Sequence, residues 1–261
     1  MTDDGIERGR LLLLGRNYGE YGGLASTRVG SHSAAAISVG TDATSPAGRW
    51  KYDSNVANED ALCVIDAGEW IGMAVADAHY GPEASHVIIE RLHEMWAKIR
   101  PTDVEHLGQM IEFLRNGDPA RTESETTLLV SVFDRESGRG FGVSFGDSTI
   151  AVAGADRIPM PVNPQDTRFV STADRRSLLD GSLFTYRAAP GELIIMHTDG
   201  IDGCHYREPD TSVRPRHVHE IARRNHFDPF SVVNEVSSLA LDGVDGYPGG
   251  QDNIVMIATS A

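Results

Sequence analysis

The apolar residues of the chain gather in short runs bounded by Gly, Pro, Asp, Asn or Ser: Ala35–Val39, Ala61–Ile65, Ile71–Ala76, Thr127–Phe133, Gly140–Phe145, Thr149–Val152, Leu193–His197 and Ile254–Ala258. Runs of that length between turn formers predict strands. They come in adjacent pairs, which predicts largely antiparallel sheets. Two stretches carry a helical period instead. Pro82 suits a first helical position, and Val87, Ile88, Leu92, Met95, Trp96 and Ile99 then fall on one face until Pro101 stops the helix. From about Asp228 to Leu241, Phe230, Val233, Val236 and Leu239 do the same. Two helices among many hairpin-spaced strands predict an α+β layered domain, a two-sheet sandwich with helices outside.

Nothing repeats along the chain, and no low-complexity linker divides it. Its 261 residues, 40% of them hydrophobic, suffice for one large core, so one domain over 1–261 is expected. Residues 1–10 are polar and expected to fray. Residues 16–32, rich in Gly, Ser and Tyr, read as loop and edge strand, and 40–54 as a loop. The apolar run Leu11–Leu14 is stopped by Gly15 and Arg16, far short of a membrane span or a signal segment. Cys63 and Cys204 sit in no CxxC or zinc spacing and read as reduced thiols of a cytoplasmic protein.

Charge narrows the chemistry. Thirty-eight acidic against 23 basic residues give −15, a field that repels nucleic acid and anionic membranes. An anionic substrate would therefore need cations at its site. The acids that could hold them share one position, the end of an apolar run. Asp77 follows Ile71–Ala76, Asp199 follows Leu193–His197, Asp252 precedes Ile254–Ala258, and Glu59 and Asp60 precede Ala61–Ile65. One such aspartate usually caps a turn. Four sites in one sandwich bring carboxylates together, and such a cluster repels itself unless it holds cations. Oxygen ligands alone suit Mg²⁺ or Mn²⁺ better than zinc. Two such ions roughly 3.5–4 Å apart would activate a water and neutralise phosphate oxygens. His79, two residues after Asp77, is placed to protonate a leaving alkoxide.

These segments resemble the motifs of the type 2C (PPM) metal-dependent serine/threonine protein phosphatases. VADAHYG (Val75–Gly81) resembles the family's FDGHGG, ANEDAL (Ala57–Leu62) its NED box, FGDST (Phe145–Thr149) its GDS turn, IIMHTDGIDG (Ile194–Gly203) its SDG segment and GGQDNIVMIA (Gly249–Ala258) its closing DN run; Thr126 and Thr127 match its Thr-Thr element. The set occurs in the family's order over roughly residues 30–260. The resemblance implies a four-layer αββα sandwich, a binuclear Mg²⁺ or Mn²⁺ centre with a third ion in many bacterial members, and a phosphorylated protein as substrate, within a Ser/Thr kinase pathway. It implies that Asp77 bridges the two ions, that the carbonyl of Ala78 reaches the second, and that Asp199 and Asp252 hold the first. Glu59 and Asp60 would serve the second ion, and Asn253 would support Asp252. Asp147 would hold a loop. Asp118, Glu123 and Glu125 are candidates for the third ion. The segment from Pro159 to Leu183, with Arg168, Arg175 and Arg176, would form a substrate-facing flap.

Three positions depart from the family. Asn55 stands where an arginine usually grips the phosphate, leaving Lys51 or Arg49 as substitutes. Ala78 replaces a glycine whose carbonyl alone is needed. Tyr80 replaces another and would narrow the cleft. The missing arginine motivates an alternative, a pseudophosphatase that keeps the fold and binds metal or phosphoprotein without efficient turnover.

Overall fold

The computed structural model describes residues 9–41, 56–116, 124–171 and 183–261. Its first sheet is six-stranded. It is built from β1 (Gly9–Leu14), β4 (Ala61–Asp66), β5 (Trp70–Ala76), β8 (Leu128–Asp134), β9 (Arg139–Phe145) and β12 (Leu183–Arg187), in that spatial order. The second has five strands: β10 (Thr149–Ala153), β13 (Leu193–His197), β14 (Ile254–Ser260), β3 (Ser33–Ser38) and β2 (Ala25–Val29). A small third sheet orders β11 (Val170–Ser171), β7 (Glu125–Thr126) and β6 (Ala78–His79). Every pairing between these strands is antiparallel, as the hairpin spacing predicts.

Alternation within the strands makes the layers. On β4 and β5, Leu62, Val64, Ile71, Met73 and Val75 face inward to meet Ile37, Ile150, Val152, Ile194, Met196, Val255 and Ile257 of the other sheet. Each large apolar side chain so buried contributes about 1.5–3 kcal/mol. The opposite face of this sheet carries Cys63 and Ile65 of β4, Ala74 of β5 and Leu128 and Val130 of β8, covered by α1 (Glu83–Trp96) and α2 (Val104–Asn116) through Ile88, Ile89, Leu92, Leu107 and Ile111. The far side of the second sheet packs Ala34, Ala36, Ile195 and Met256 against α3 (Pro215–Arg224) and α4 (Pro229–Asp242). The result is the αββα stack. Gly72 sets one contact in it, since a Cβ there would lie 2.8 Å from the Trp96 ring.

Several expectations need correction. The helix predicted from Pro82 runs Glu83–Trp96, and Ile99, expected on its buried face, is exposed. Its final turn tightens, with Lys98 and Ile99 both donating to the Met95 carbonyl, and the chain leaves the helix before Pro101. Gly9 and Arg10, expected to fray, pair with Asp66 and Ile65 at the start of β1. Helices α2 and α3, strand β12 and the small third sheet are absent from the sequence-based prediction. Residues 16–32 behave as expected, β2 being an edge strand. Both cysteines are buried and free, and no helix among the described residues is long and apolar enough to cross a membrane.

Candidate active site

The acid-bearing segments leave the sandwich at one end. Ala61 pairs with Ala76, so Asp60, just before β4, and Asp77, just after β5, continue the same register. The ends of β13 and β14 meet likewise: His197 pairs with Met256, and Thr198 N–H donates to the Val255 carbonyl at 3.2 Å. Glu59 is 1% exposed, Asp60 0%, Asp77 4% and Asp252 8%; Asp199 is half-buried.

Hydroxyl and backbone N–H groups hold several of these acids or their backbones. Thr127 clamps Asp77 from both sides. Its hydroxyl accepts from Asp77 N–H at 3.0 Å, and its own N–H donates to the Asp77 carbonyl at 2.8 Å. Ser148 of the GDS turn lies 3.0 Å from the same hydroxyl, linking β10 to the end of β5. Thr198 Oγ1 donates to Asp60 Oδ2 at 2.9 Å and accepts from Val255 N–H at 3.2 Å, tying the two sheets together beside the acids. Glu59 Oε1 accepts from Gly81 N–H at 3.1 Å, holding the turn after His79.

Asn253 is the junction of this network. Its Oδ1 accepts from Glu59 N–H at 2.9 Å, and its Nδ2 donates to the carbonyls of Val39 (3.2 Å) and Ala57 (3.1 Å). Its own N–H donates to Asp252 Oδ1 at 2.7 Å. The neighbouring loop presses directly on it, because a Cβ on Gly200 would fall 1.7 Å from the Asn253 carbonyl oxygen. Only glycine permits that approach.

His79 ends β6 opposite Glu125 of β7, and the Phe169 ring meets its imidazole edge-on, centroids 4.9 Å apart and planes at 80°. Ala78 sits in extended backbone beside it, fully buried. Tyr80 is 69% exposed with φ of 61°, a left-handed conformation that costs a non-glycine residue about 1 kcal/mol or more. Asp147 heads an exposed turn, yet the protein packed around its carboxyl pushes its pKa above the usual range, and the charges of Asp77 and Asp202 add to the rise while His79 opposes it. Asp147 thus belongs electrostatically to the acidic end. The sequence reading gave it a loop-holding role and gave Asp202 none, although Asp202 lies three residues after Asp199 in the same motif. Arg168 is engaged by Asp166, its Nε donating to Oδ2 at 2.6 Å. Asn55, Lys51, Arg49, Asp118, Glu123, Arg175 and Arg176 lie outside the described residues.

Asp77, Asp199, Asp252, Glu59 and Asp60, with the Ala78 carbonyl, would offer oxygen donors alone, the chemistry that Mg²⁺ and Mn²⁺ take. Among the described residues, no three acidic, His or Cys side chains converge into a ready-made cage. The donor types fit such ions.

No protein-family model and no curated protein matches the chain. Solved structures do. The catalytic domain of the serine/threonine protein phosphatase PstP, in complex with two manganese ions, is similar with a TM-score of 0.63 at 17% identity, over 91% of this chain and 99% of that one. The phosphatase PstP/Ppp of Mycobacterium tuberculosis gives 0.62 at 16% identity, over 91% and 98%. RsbX in complex with magnesium gives 0.59 at 15% identity, over 91% and 99%. At these identities the likeness is one of fold, and the fold is that of the PP2C-type serine/threonine phosphatases.

Proposed function

We propose that the protein is a metal-dependent phosphatase that hydrolyses phosphoserine and phosphothreonine esters in proteins at a binuclear Mg²⁺ or Mn²⁺ centre. The observation that carries this reading is that the segments bearing Glu59, Asp60, Asp77 and Asp252, all nearly or fully buried, leave the strands at the same end of a PP2C-type sandwich. Asp77, Asp199 and Asp252 would hold the ions, with Glu59, Asp60 and the Ala78 carbonyl completing the second position. Bound there, two divalent ions supply Lewis acidity, charge neutralisation for phosphate oxygens and a water acidic enough to deprotonate near neutral pH. Thr127 holds the backbone of Asp77 on both sides, which fixes where its carboxylate leaves the strand. Asn253 orients the Asp252 and Glu59 segments in the same way.

His79 protonates the departing serine or threonine oxygen. Phe169 packs against the imidazole and limits its rotation, so the proton is offered in a narrow range of directions. A cationic substrate grip, if Lys51 or Arg49 supplies it, replaces the arginine that Asn55 lacks. The partner is a phosphorylated protein, placed opposite a Ser/Thr kinase, and the two free buried cysteines accord with a reducing, cytoplasmic setting. Hydrolysis of p-nitrophenyl phosphate with Mn²⁺ tests the reading. The wild type turns over and Asp199→Ala does not; equal rates sink the proposal.

Asn55 supports one other reading, a pseudophosphatase that binds metal and phosphoprotein. Calorimetric Mn²⁺ titration beside a phosphopeptide assay separates the two. Tight metal binding without turnover favours the binding module.

A further inference from the structure

At the end of the sandwich opposite the acids, a cleft of about 680 Å³ opens between the β9–β12 edge and the start of α2, lined by Arg100, Asp103, Asp134, Arg139, Thr185 and Arg187 among others. Three cations line a cleft in a protein whose net charge is −15. The two carboxylates are already committed. Asp103 caps the first turn of α2, accepting from His106 N–H at 2.8 Å. Asp134 pairs with Arg100 and accepts from Ser137 N–H at 2.8 Å and from Ser137 Oγ at 2.7 Å.

Arg139 and Arg187 remain. They stand directly opposite each other across β9 and β12, so their side chains share a face. Ala188 N–H donates to the Gly138 carbonyl at 3.1 Å, which makes the Arg139–Arg187 position the non-hydrogen-bonded kind, where side chains are closest. Like charges directly opposite destabilise a sheet. The other arginines around this end find carboxylates: Arg135 pairs with Asp66, Arg157 with Glu192 and Arg100 with Asp134. Among the described residues, neither Arg139 nor Arg187 has an acidic partner within 4.0 Å.

We propose that this cleft is a second anion site, in which Arg139 and Arg187 jointly bind a dianionic phosphate group. Three guanidiniums against the carboxylates of Asp103 and Asp134, the latter directly opposite Arg139 on β8, leave the lining net positive, and the paired forks of Arg139 and Arg187 suit an oxyanion. A phosphate dianion carries the opposite charge, with oxygens that match the guanidinium fork. The chemistry is shared by free phosphate and by a phosphate ester on a peptide, and the cleft has room for either. Catalysis is not implied, since the site lies at the other end of the strands from Asp77. The inference does not rest on the phosphatase reading.

Amide and arginine side-chain NMR during titration with inorganic phosphate tests it, with methylphosphonate as a non-hydrolysable stand-in for an ester. Saturable shifts are expected at Arg139, Arg187 and Thr185, and Arg139→Ser/Arg187→Ser weakens them at least about tenfold. Both residues are exposed, so the variant's amide spectrum outside the cleft should stay native, and its p-nitrophenyl phosphate hydrolysis should match wild type. If the double variant does not fold, Arg187→Ser alone takes its place and again weakens the shifts. Phosphate binding without methylphosphonate binding assigns the cleft to free phosphate; binding of both assigns it to esters as well. Absence of saturable shifts at the two arginines, or equal affinity in wild type and variant, overturns the proposal.

Discussion

Where β5 runs into Asp77, acids are drawn together and held by hydroxyls, backbone N–H groups and the Asn253 amide. Where β8 runs into Asp134, at the other end of the same strands, acids are matched to guanidiniums. Glu59, Asp60, Asp77 and Asp252 show the first pattern, with Thr198 and Gly81 as donors. Asp66 shows the second. Its carboxylate takes Arg135 bidentately at 2.9 and 3.2 Å, its side chain fully buried. The same residue type therefore does different work at each end. A paired carboxylate stabilises the fold. Carboxylates placed near one another at a strand-end face repel each other, and such a face is where a cation would be favoured.

The contrast is broken most forcefully at Asp66. Asp66→Ala strands the Arg135 guanidinium, of which only 16% of the side chain is exposed, and should cost roughly 3 kcal/mol or more of stability. Chemical denaturation reads the loss, while turnover per folded molecule stays at the wild-type value. An activity loss in the folded variant would show that the two ends are not separable. A change at the acidic end sharpens the contrast in the other direction. Asn253→Ala should lower Mn²⁺ affinity by roughly 10–100-fold, measured by calorimetry, because Asp252 and the Glu59 segment lose their common support.

Acid provides a smaller, graded effect. His86, on α1 near the Asp60 backbone, has its pKa lowered to about 4, chiefly by burial and further by the Arg16 charge, against a weaker opposing pull from the Asp60 backbone, which accepts from the imidazole. The folded pKa is depressed below the unfolded 6.5, so the neutral imidazole's contribution is complete above pH 6.5 and is lost as pH falls toward about 4. Unfolding measured across that window should show the decline, and His86→Leu should flatten it. A decline of equal slope in the variant would assign the effect to the carboxylates instead.

How much of this was readable beforehand depends on what kind of contact made it. The strands that carry Asp77, Asp199 and Asp252 are continuous apolar runs, buried on both faces, and such runs announce themselves. Helix α3 does not, because Val218, Ile221 and Ala222 are the only buried residues of PRHVHEIARR. Helix α2 does carry a period, with Leu107, Met110, Ile111 and Leu114 buried, but the exposed Phe113 on the other face blurs it. Strand β1 hid in Leu11–Leu14, a run weighed against membranes instead of against β4. In the site, the acids were legible as strand ends. Their supports are less so: Phe169 against His79, Thr198 against Asp60 and the Asp147–Asp202 proximity join residues distant in sequence, which only the small third sheet and the packing of the two large ones bring together.

The Asn253 junction has a kinetic consequence. Its bonds to Glu59, Ala57 and Val39 span 194, 196 and 214 residues of chain. Closing loops of that length is entropically slow, and contacts of such high order form late. The hairpins β4–β5 and β8–β9 and helix α1 can assemble from local segments long before β14 docks between β13 and β3. In a refolding experiment, recovery of helical signal should therefore precede recovery of metal affinity. A half-folded chain would have strands and helices but not yet the Asn253 junction, so the proposed metal site would form only when the whole sandwich has closed.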